Sequence, residues 1–91
     1  MHYVYVLRSQ KDGDFYVGCT NNFERRFKEH NNGRSYSTKH RAPFKTVYVE
    51  IYLNQQDAFA REKFLKTGWG KNYLKRVLKN YLSELFQKLG G

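Results

Sequence analysis

Tyr3-Val4-Tyr5-Val6-Leu7, Lys11-Asp12-Gly13-Asp14 and Phe15-Tyr16-Val17-Gly18 are the stretches that decide how this chain folds. The first is rich in β-branched and aromatic residues and predicts a strand. The second places an Asp-Gly pair where a tight turn needs a positive φ. The third returns as another strand, so residues 3–19 should form a β-hairpin. Alternation along the first strand sends Tyr3, Tyr5 and Leu7 to one face, and Tyr16 and Gly18 likewise share a face. A suitable register would make Tyr5 and Tyr16 neighbours.

Outward from the hairpin, Asn21 followed three residues later by Glu24 resembles a capping box. It predicts a helix over Asn22–Asn32, stopped by Gly33. Residues 34–43 are polar and basic and read as a loop. Phe44 to Leu53 carries Val47, Tyr48, Val49, Ile51 and Tyr52 and predicts a third strand. Asn54 or Gln55 opens a second helix through about Thr67, by the preference of amide side chains for helix starts. Gly68-Trp69-Gly70 should break the chain. A third helix follows, with Leu74, Val77, Leu78, Tyr81, Leu82 and Leu85 on one stripe. The order β-β-α-β-α-α predicts an α+β fold: a small three-stranded sheet flanked by three helices, one domain over residues 1–91.

The 91 residues are 40% hydrophobic and carry 17 Lys and Arg against 8 Asp and Glu, a net charge of +9. No apolar run approaches the roughly 20 residues of a membrane span, and the N-terminus lacks a signal-peptide pattern. Cys19 alone excludes an internal disulfide, and with His2, His30 and His40 it shows no zinc spacing. The expectation is a soluble cytoplasmic protein. Seven basic residues and one acid fall in residues 25–45, and the same again in 61–79, leaving the rest slightly acidic. Clustering of this kind suits a polyanion, because each neutralised phosphate releases counterions. Charge makes a nucleic acid, DNA or RNA, the expected partner, with a merely solubilising surface as the alternative, and a membrane surface is not expected.

Polar residues on apolar helix faces sharpen that expectation. On a wheel of residues 22–32, Phe23, Phe27 and His30 fall within about 60° of one another, with Arg26 beside them. Arg25, Lys28 and Glu29 take the far side. An inward guanidinium calls for an anion, either a protein carboxylate or a ligand phosphate. On the second helix Ala58, Phe59 and Leu65 form an inward arc with Glu62 near its centre. A carboxylate inside a basic patch needs an offset, either an ion pair with Arg26 or a divalent metal.

Tyr3-Val4-Tyr5, ten residues, Tyr16-Val17-Gly18, then Arg26, His30 and a later-helix Glu62 together resemble the GIY-YIG nucleases, in particular their small standalone bacterial members. The resemblance covers essentially the whole chain. It implies a three-stranded antiparallel sheet flanked by helices and metal-dependent hydrolysis of DNA phosphodiesters. Carried over by position, Tyr5 and Tyr16 match the two motif tyrosines, Arg26 the catalytic arginine, and Glu62 the metal ligand. His30 matches a position that is His or Tyr among members. Three departures stand out. Tyr3 replaces the first glycine of the motif name, and Cys19 stands where some members have lysine. The downstream asparagine has no clear counterpart, Asn72 and Asn80 both being candidates.

The chemistry implied is an Mg²⁺ or Mn²⁺ ion on Glu62 acting as Lewis acid. Arg26 would grip non-bridging phosphate oxygens, and either tyrosine would serve as general base, with His30 either sharing proton transfer or simply hydrogen-bonding to one of them. Arg34, Lys39, His40, Arg41 and Lys45, with Lys63 and Lys66, would hold the DNA backbone without reading bases. The predicted activity is therefore an endonuclease with weak sequence preference, selective for DNA structure and linked to repair. The alternative is a nucleic-acid-binding module with a nuclease fold and little turnover.

Overall fold

A computed structural model describes residues 1–88, in the order β1 (His2–Ser9), β2 (Phe15–Thr20), α1 (Phe23–Asn31), β3 (Phe44–Tyr52), α2 (Gln55–Leu65), α3 (Gly68–Val77) and α4 (Lys79–Lys88). The expected hairpin is β1–β2, antiparallel, with Tyr5 opposite Gly18 and Leu7 opposite Tyr16. Gly13 sits in its turn with φ +77°. β3 joins the other side of β1, also antiparallel, so the sheet order is β2-β1-β3.

β1 is thus the central strand, which explains its composition. Val4, Tyr5, Val6 and Leu7 are all buried, because both faces of the sheet are covered there. Val4, Val6 and Val17 pack with Ala58, Leu65 and Leu74 from α2 and α3. Tyr5, Leu7 and Phe44 form the core of the opposite face, against Phe23 and Phe27 of α1. A strand buried on two sides needs an unbroken apolar run, whereas an edge strand can alternate. β3 does alternate, and its Ile51 is 57% exposed.

The helices depart from expectation at their ends. The side chain that caps α1 belongs to Asn22, whose Oδ1 accepts from the Arg25 amide, not to Asn21. α2 starts where expected, its Asn54 cap accepting from the amides of Gln56 and Asp57. Gly68-Trp69-Gly70 does not break the chain; it is the first turn of α3, capped by Thr67 through the Gly70 amide. Gly70 is required by a close approach. A Cβ there would collide with the Phe64 carbonyl and the Leu65 backbone, so glycine lets α3 cross tightly over the end of α2.

The predicted last helix is two, α3 and α4, meeting at Leu78. The sheet is therefore flanked by four helices, not three. The apolar stripe continues across the junction, which is why periodicity alone did not reveal it. Only Leu74 of that stripe is fully buried, and Val77 is 46% exposed.

Candidate active site

The site is assembled from both strands of the hairpin, α1, the loop after it, and α2. Tyr5 projects from the central strand and lies across Gly18 on β2. A Cβ at Gly18 would run into the Tyr5 hydroxyl, so the motif glycine clears a path for the phenol. The Tyr5 and Tyr16 rings are 6.5 Å apart, the expected neighbours. The Tyr5 hydroxyl lies 3.0 Å from His30 Nε2. His30 Nδ1 is 2.7 Å from Thr38 Oγ1, and both residues are buried. The Tyr16 ring meets the His30 ring edge-on at 4.9 Å.

Electrostatics around this cluster are specific. Burial, and next the neighbouring Tyr16, push the Tyr5 phenol up to about 12, although Arg26 pulls it part of the way back. Glu62 also raises it. Burial and then the Arg26 charge push His30 down to about 4, so the imidazole is neutral near pH 7. One of its nitrogens donates and the other accepts.

Arg26 is partly buried, with its side chain 33% exposed, and meets a protein carboxylate, but that carboxylate is Glu29, expected on the far side of the helix, and not Glu62. Nη1 donates to Glu29 Oε1 at 3.0 Å and Nη2 to Ser35 Oγ at 3.2 Å. Glu29 reaches around the helix because residues three apart are surface neighbours. Burial works against the Arg26 charge, but the Glu29 hydrogen bond and the nearby Tyr5 and Tyr16 phenols outweigh it and its pKa rises. Glu62 does not pair with Arg26. Its Oε2 accepts from Lys66 Nζ at 3.1 Å, one turn along α2, and its side chain is 24% exposed. Phe59, placed on the inward arc with Glu62, instead faces outward and is 46% exposed.

Cys19 packs against the core beneath α2. Burial, then Glu62, raise its thiol pKa, which fits a small apolar filler and not a reactive thiolate. Among the expected backbone-gripping residues, Arg34, Lys39, His40, Lys45, Lys63 and Lys66 are exposed. Lys39 lies over the exposed Tyr36 ring at 5.0 Å. Arg41 is already engaged, gripping Asp12 through Nε at 2.7 Å and Nη2 at 3.3 Å. Their loop is pinned by Ser9, whose Oγ donates to the Arg41 carbonyl at 2.6 Å.

A second charged cluster was missed. On the α2 face of the sheet, Arg61 donates to both Glu50 oxygens at 2.8 and 2.9 Å. Tyr48 and Tyr52 also donate to Glu50, and Tyr73 of α3 touches Tyr48. The Arg61 guanidinium stacks over the Tyr73 ring at 4.5 Å. Burial opposes the Glu50 charge, but Arg61 and the two phenols hold its pKa below the usual carboxylate range. Tyr48, Glu50 and Tyr52 alternate along β3 and so share a face, a signal present in the sequence.

The whole chain except its last residues, 1–84, matches the family described as the GIY-YIG catalytic domain. The chain belongs to the GIY-YIG family. Its GIY-YIG relatives include a UPF0213 protein of Clostridium perfringens, 46% identical over 67 residues that make up 72% of this chain and 71% of the relative. A UPF0213 protein of Staphylococcus saprophyticus is 36% identical over 77 residues, 84% of this chain and 93% of the relative. The solution NMR structure of the UPF0213 protein BH0048 from Bacillus halodurans is 33% identical, with a TM-score of 0.46 over 92% of this chain and 83% of that one. Family membership places this GIY-YIG chain among nucleases, with nucleic acid as the substrate class. Among the described residues no helix is long and apolar enough to cross a membrane.

Proposed function

We propose that this chain is a divalent-metal-dependent nuclease that hydrolyses DNA phosphodiesters with little base preference, selecting instead for DNA structure. The observation that carries the reading is the cluster of Tyr5, Tyr16 and His30 built by the hairpin and α1, together with an Arg26 fork fixed by Glu29 and Ser35 and a half-buried Glu62 carboxylate on α2. A surface built only to hold phosphates gains nothing from a carboxylate in its midst.

Arg26 suits a phosphate. Two of its donors are fixed by Glu29 and Ser35, so the fork is oriented before substrate arrives and its other N–H groups can meet non-bridging oxygens. Tyr16 is the better placed phenol to meet an attacking water, since it is partly exposed whereas Tyr5 is buried. Tyr5, held by His30, backs Tyr16 and Arg26, and its high pKa keeps it a neutral hydrogen-bonding group.

Glu62 is the residue that would hold a metal ion. Among the described residues no group of three or more His, Cys, Asp or Glu side chains gathers as a metal cage. A single half-buried carboxylate with one oxygen committed to Lys66 fits an ion that keeps most of its waters, as Mg²⁺ does, and Mn²⁺ can substitute. When bound, such an ion supplies Lewis-acid stabilisation of the phosphate and leaving oxygens. Glu62 would exchange Lys66 for the ion, freeing that ammonium for the DNA backbone.

The test compares wild type with Glu62→Gln, Arg26→Ala and Tyr16→Phe on supercoiled and branched DNA, with Mg²⁺, Mn²⁺ or EDTA. Cleavage should need the metal and fall about 10²- to 10⁴-fold when Tyr16 loses its hydroxyl. Equal cleavage by wild type and Glu62→Gln would overturn the reading. A second reading, a strand-binding module with little turnover, is favoured by the engaged state of Glu62, already paired with Lys66. It predicts DNA retention without cleavage in any metal.

A further inference from the structure

Two adjoining depressions lie beside the site, the smaller of them starting at Tyr16. The smaller, about 250 Å³, crosses the outer edge of β2 from Tyr16 past Phe15 to Lys66 and Lys71. The larger, about 550 Å³, shares Phe15 and Lys71 with it and continues between the hairpin turn and α3 to Lys75 and Arg41. Together they make one groove that wraps the edge strand.

Charge differs between the two walls of this groove. Lys71 and Lys75 are exposed and lie four residues apart on α3, about 6 Å of helical rise. Among the described residues neither forms an ion pair. On the opposite wall, at the hairpin turn, Arg41 is neutralised by Asp12, and Asp14 adds a negative charge. Phe15, partly buried against the core, lines both depressions beside Lys71. Lysines that track a backbone with an aromatic face between them form the combination that holds single strands. An aromatic face lining the groove finds a base to stack on only where the strand is unpaired.

We infer that this groove holds a single-stranded stretch of polynucleotide next to the scissile phosphate, with Lys71 and Lys75 on its phosphates and Phe15 as a stacking face for a base. The inference deepens the nuclease reading and rests on it for what happens at Tyr16. The substrate class is then DNA with an unpaired strand flanking the cleaved bond, such as a flap, fork or frayed end.

The experiment measures binding in EDTA, where turnover plays no part, by fluorescence anisotropy. The probes are a labelled oligothymidylate of about 15 nucleotides, within the usual site sizes of single-strand binders, and a duplex of equal length. Wild type should prefer the single strand. The double variant Lys71→Ala/Lys75→Ala should bind it about tenfold more weakly at low salt, with the log–log salt slope shallower by about 1.4 for two lost contacts. Phe15→Leu should weaken binding about fivefold or more with the slope unchanged, and Phe15→Trp should restore it. Lys28→Ala, on α1 beside Glu24, should change neither quantity.

Equal affinity for duplex and single strand, or an unchanged slope in the double-lysine variant, would overturn the groove assignment. So would displacement of the strand by polyglutamate at equal charge concentration, which would point to an acidic polypeptide. The two readings fail separately. Cleavage that depends on Glu62 with no effect at Lys71, Lys75 or Phe15 leaves the nuclease and removes the groove. Groove variants that behave as stated, in a protein that cleaves nothing, do the reverse.

Discussion

The Tyr5 hydroxyl and His30 Nε2 lie 3.0 Å apart inside the protein, with Thr38 Oγ1 on the other imidazole nitrogen at 2.7 Å. This chain of three side chains ties the central strand to α1 and to the basic loop. His30 is neutral in it, its pKa pushed by burial and by Arg26 from 6.5 to about 4. Between those pH values the unfolded chain binds a proton at this position and the folded one does not, so stability rises with pH across the window. Thermal melts should show Tm falling as pH drops from 6.5 towards 4. His30→Gln should flatten that slope, and a Tm profile with the same slope in the variant would refute the assignment.

Removing one partner of the Glu50–Arg61 pair should be costly. Both side chains are mostly buried, 18% and 24% exposed, and the pair is bidentate. Glu50→Ala is expected to destabilise by about 2–4 kcal/mol in denaturant titrations, because it leaves Arg61 and two phenols without their acceptor. Glu50→Leu combined with Arg61→Met should recover much of that loss. A cost under about 0.5 kcal/mol for Glu50→Ala would mean the pair behaves as an ordinary surface contact.

Gly18→Ala tests the close approach of Tyr5. The added methyl has no room beside the Tyr5 hydroxyl, so the ring must shift away from His30. Destabilisation of about 1–3 kcal/mol is expected from overpacking, with altered NMR shifts at Tyr5 and His30. Cleavage should fall at the same time. A variant of wild-type stability and unchanged ring shifts would show that β2 yields instead.

Arg26→Lys should not preserve activity. Glu29 and Ser35 hold two separate nitrogens of the guanidinium, and an ammonium cannot satisfy both and still offer a planar fork to phosphate. Loss of about 10²- to 10³-fold in cleavage rate is expected, by comparison with removal of single charge-stabilising donors elsewhere. DNA affinity should change far less than rate.

The hairpin, the third strand and the start of α2 were legible because turn residues and caps act locally: Gly13, Asn54 and the β-branched run at Val47 to Ile51 each act within a few residues. The inward positions of Tyr5, Arg26 and His30 followed from clean periodicity. α2 was harder. Ala58, Phe59, Ala60, Phe64 and Leu65 surround its axis, so no wheel distinguishes the face that takes Arg61 and Glu62 from the face that takes Phe59. The fate of Gly68-Trp69-Gly70 was hidden for another reason. Glycine at 70 answers to a helix crossing distant from any local rule, and a turn signal and a packing requirement look alike in sequence. The groove at Lys71 and Lys75 was likewise invisible, since its opposite wall comes from the hairpin turn.

A strand clothed in hydrocarbon on both sides carries little information about its own alignment. Sliding β1 by one position would exchange Val4 and Val6 for Tyr5 and Leu7, and the apolar area hidden would hardly change. What distinguishes the native alignment is one phenol that must find an imidazole on one side and a residue without a side chain beneath it. The groups proposed for hydrolysis are thus also the key that indexes the sheet, and sequences that drift at Tyr5, Gly18 or His30 would lose a unique pairing along with turnover.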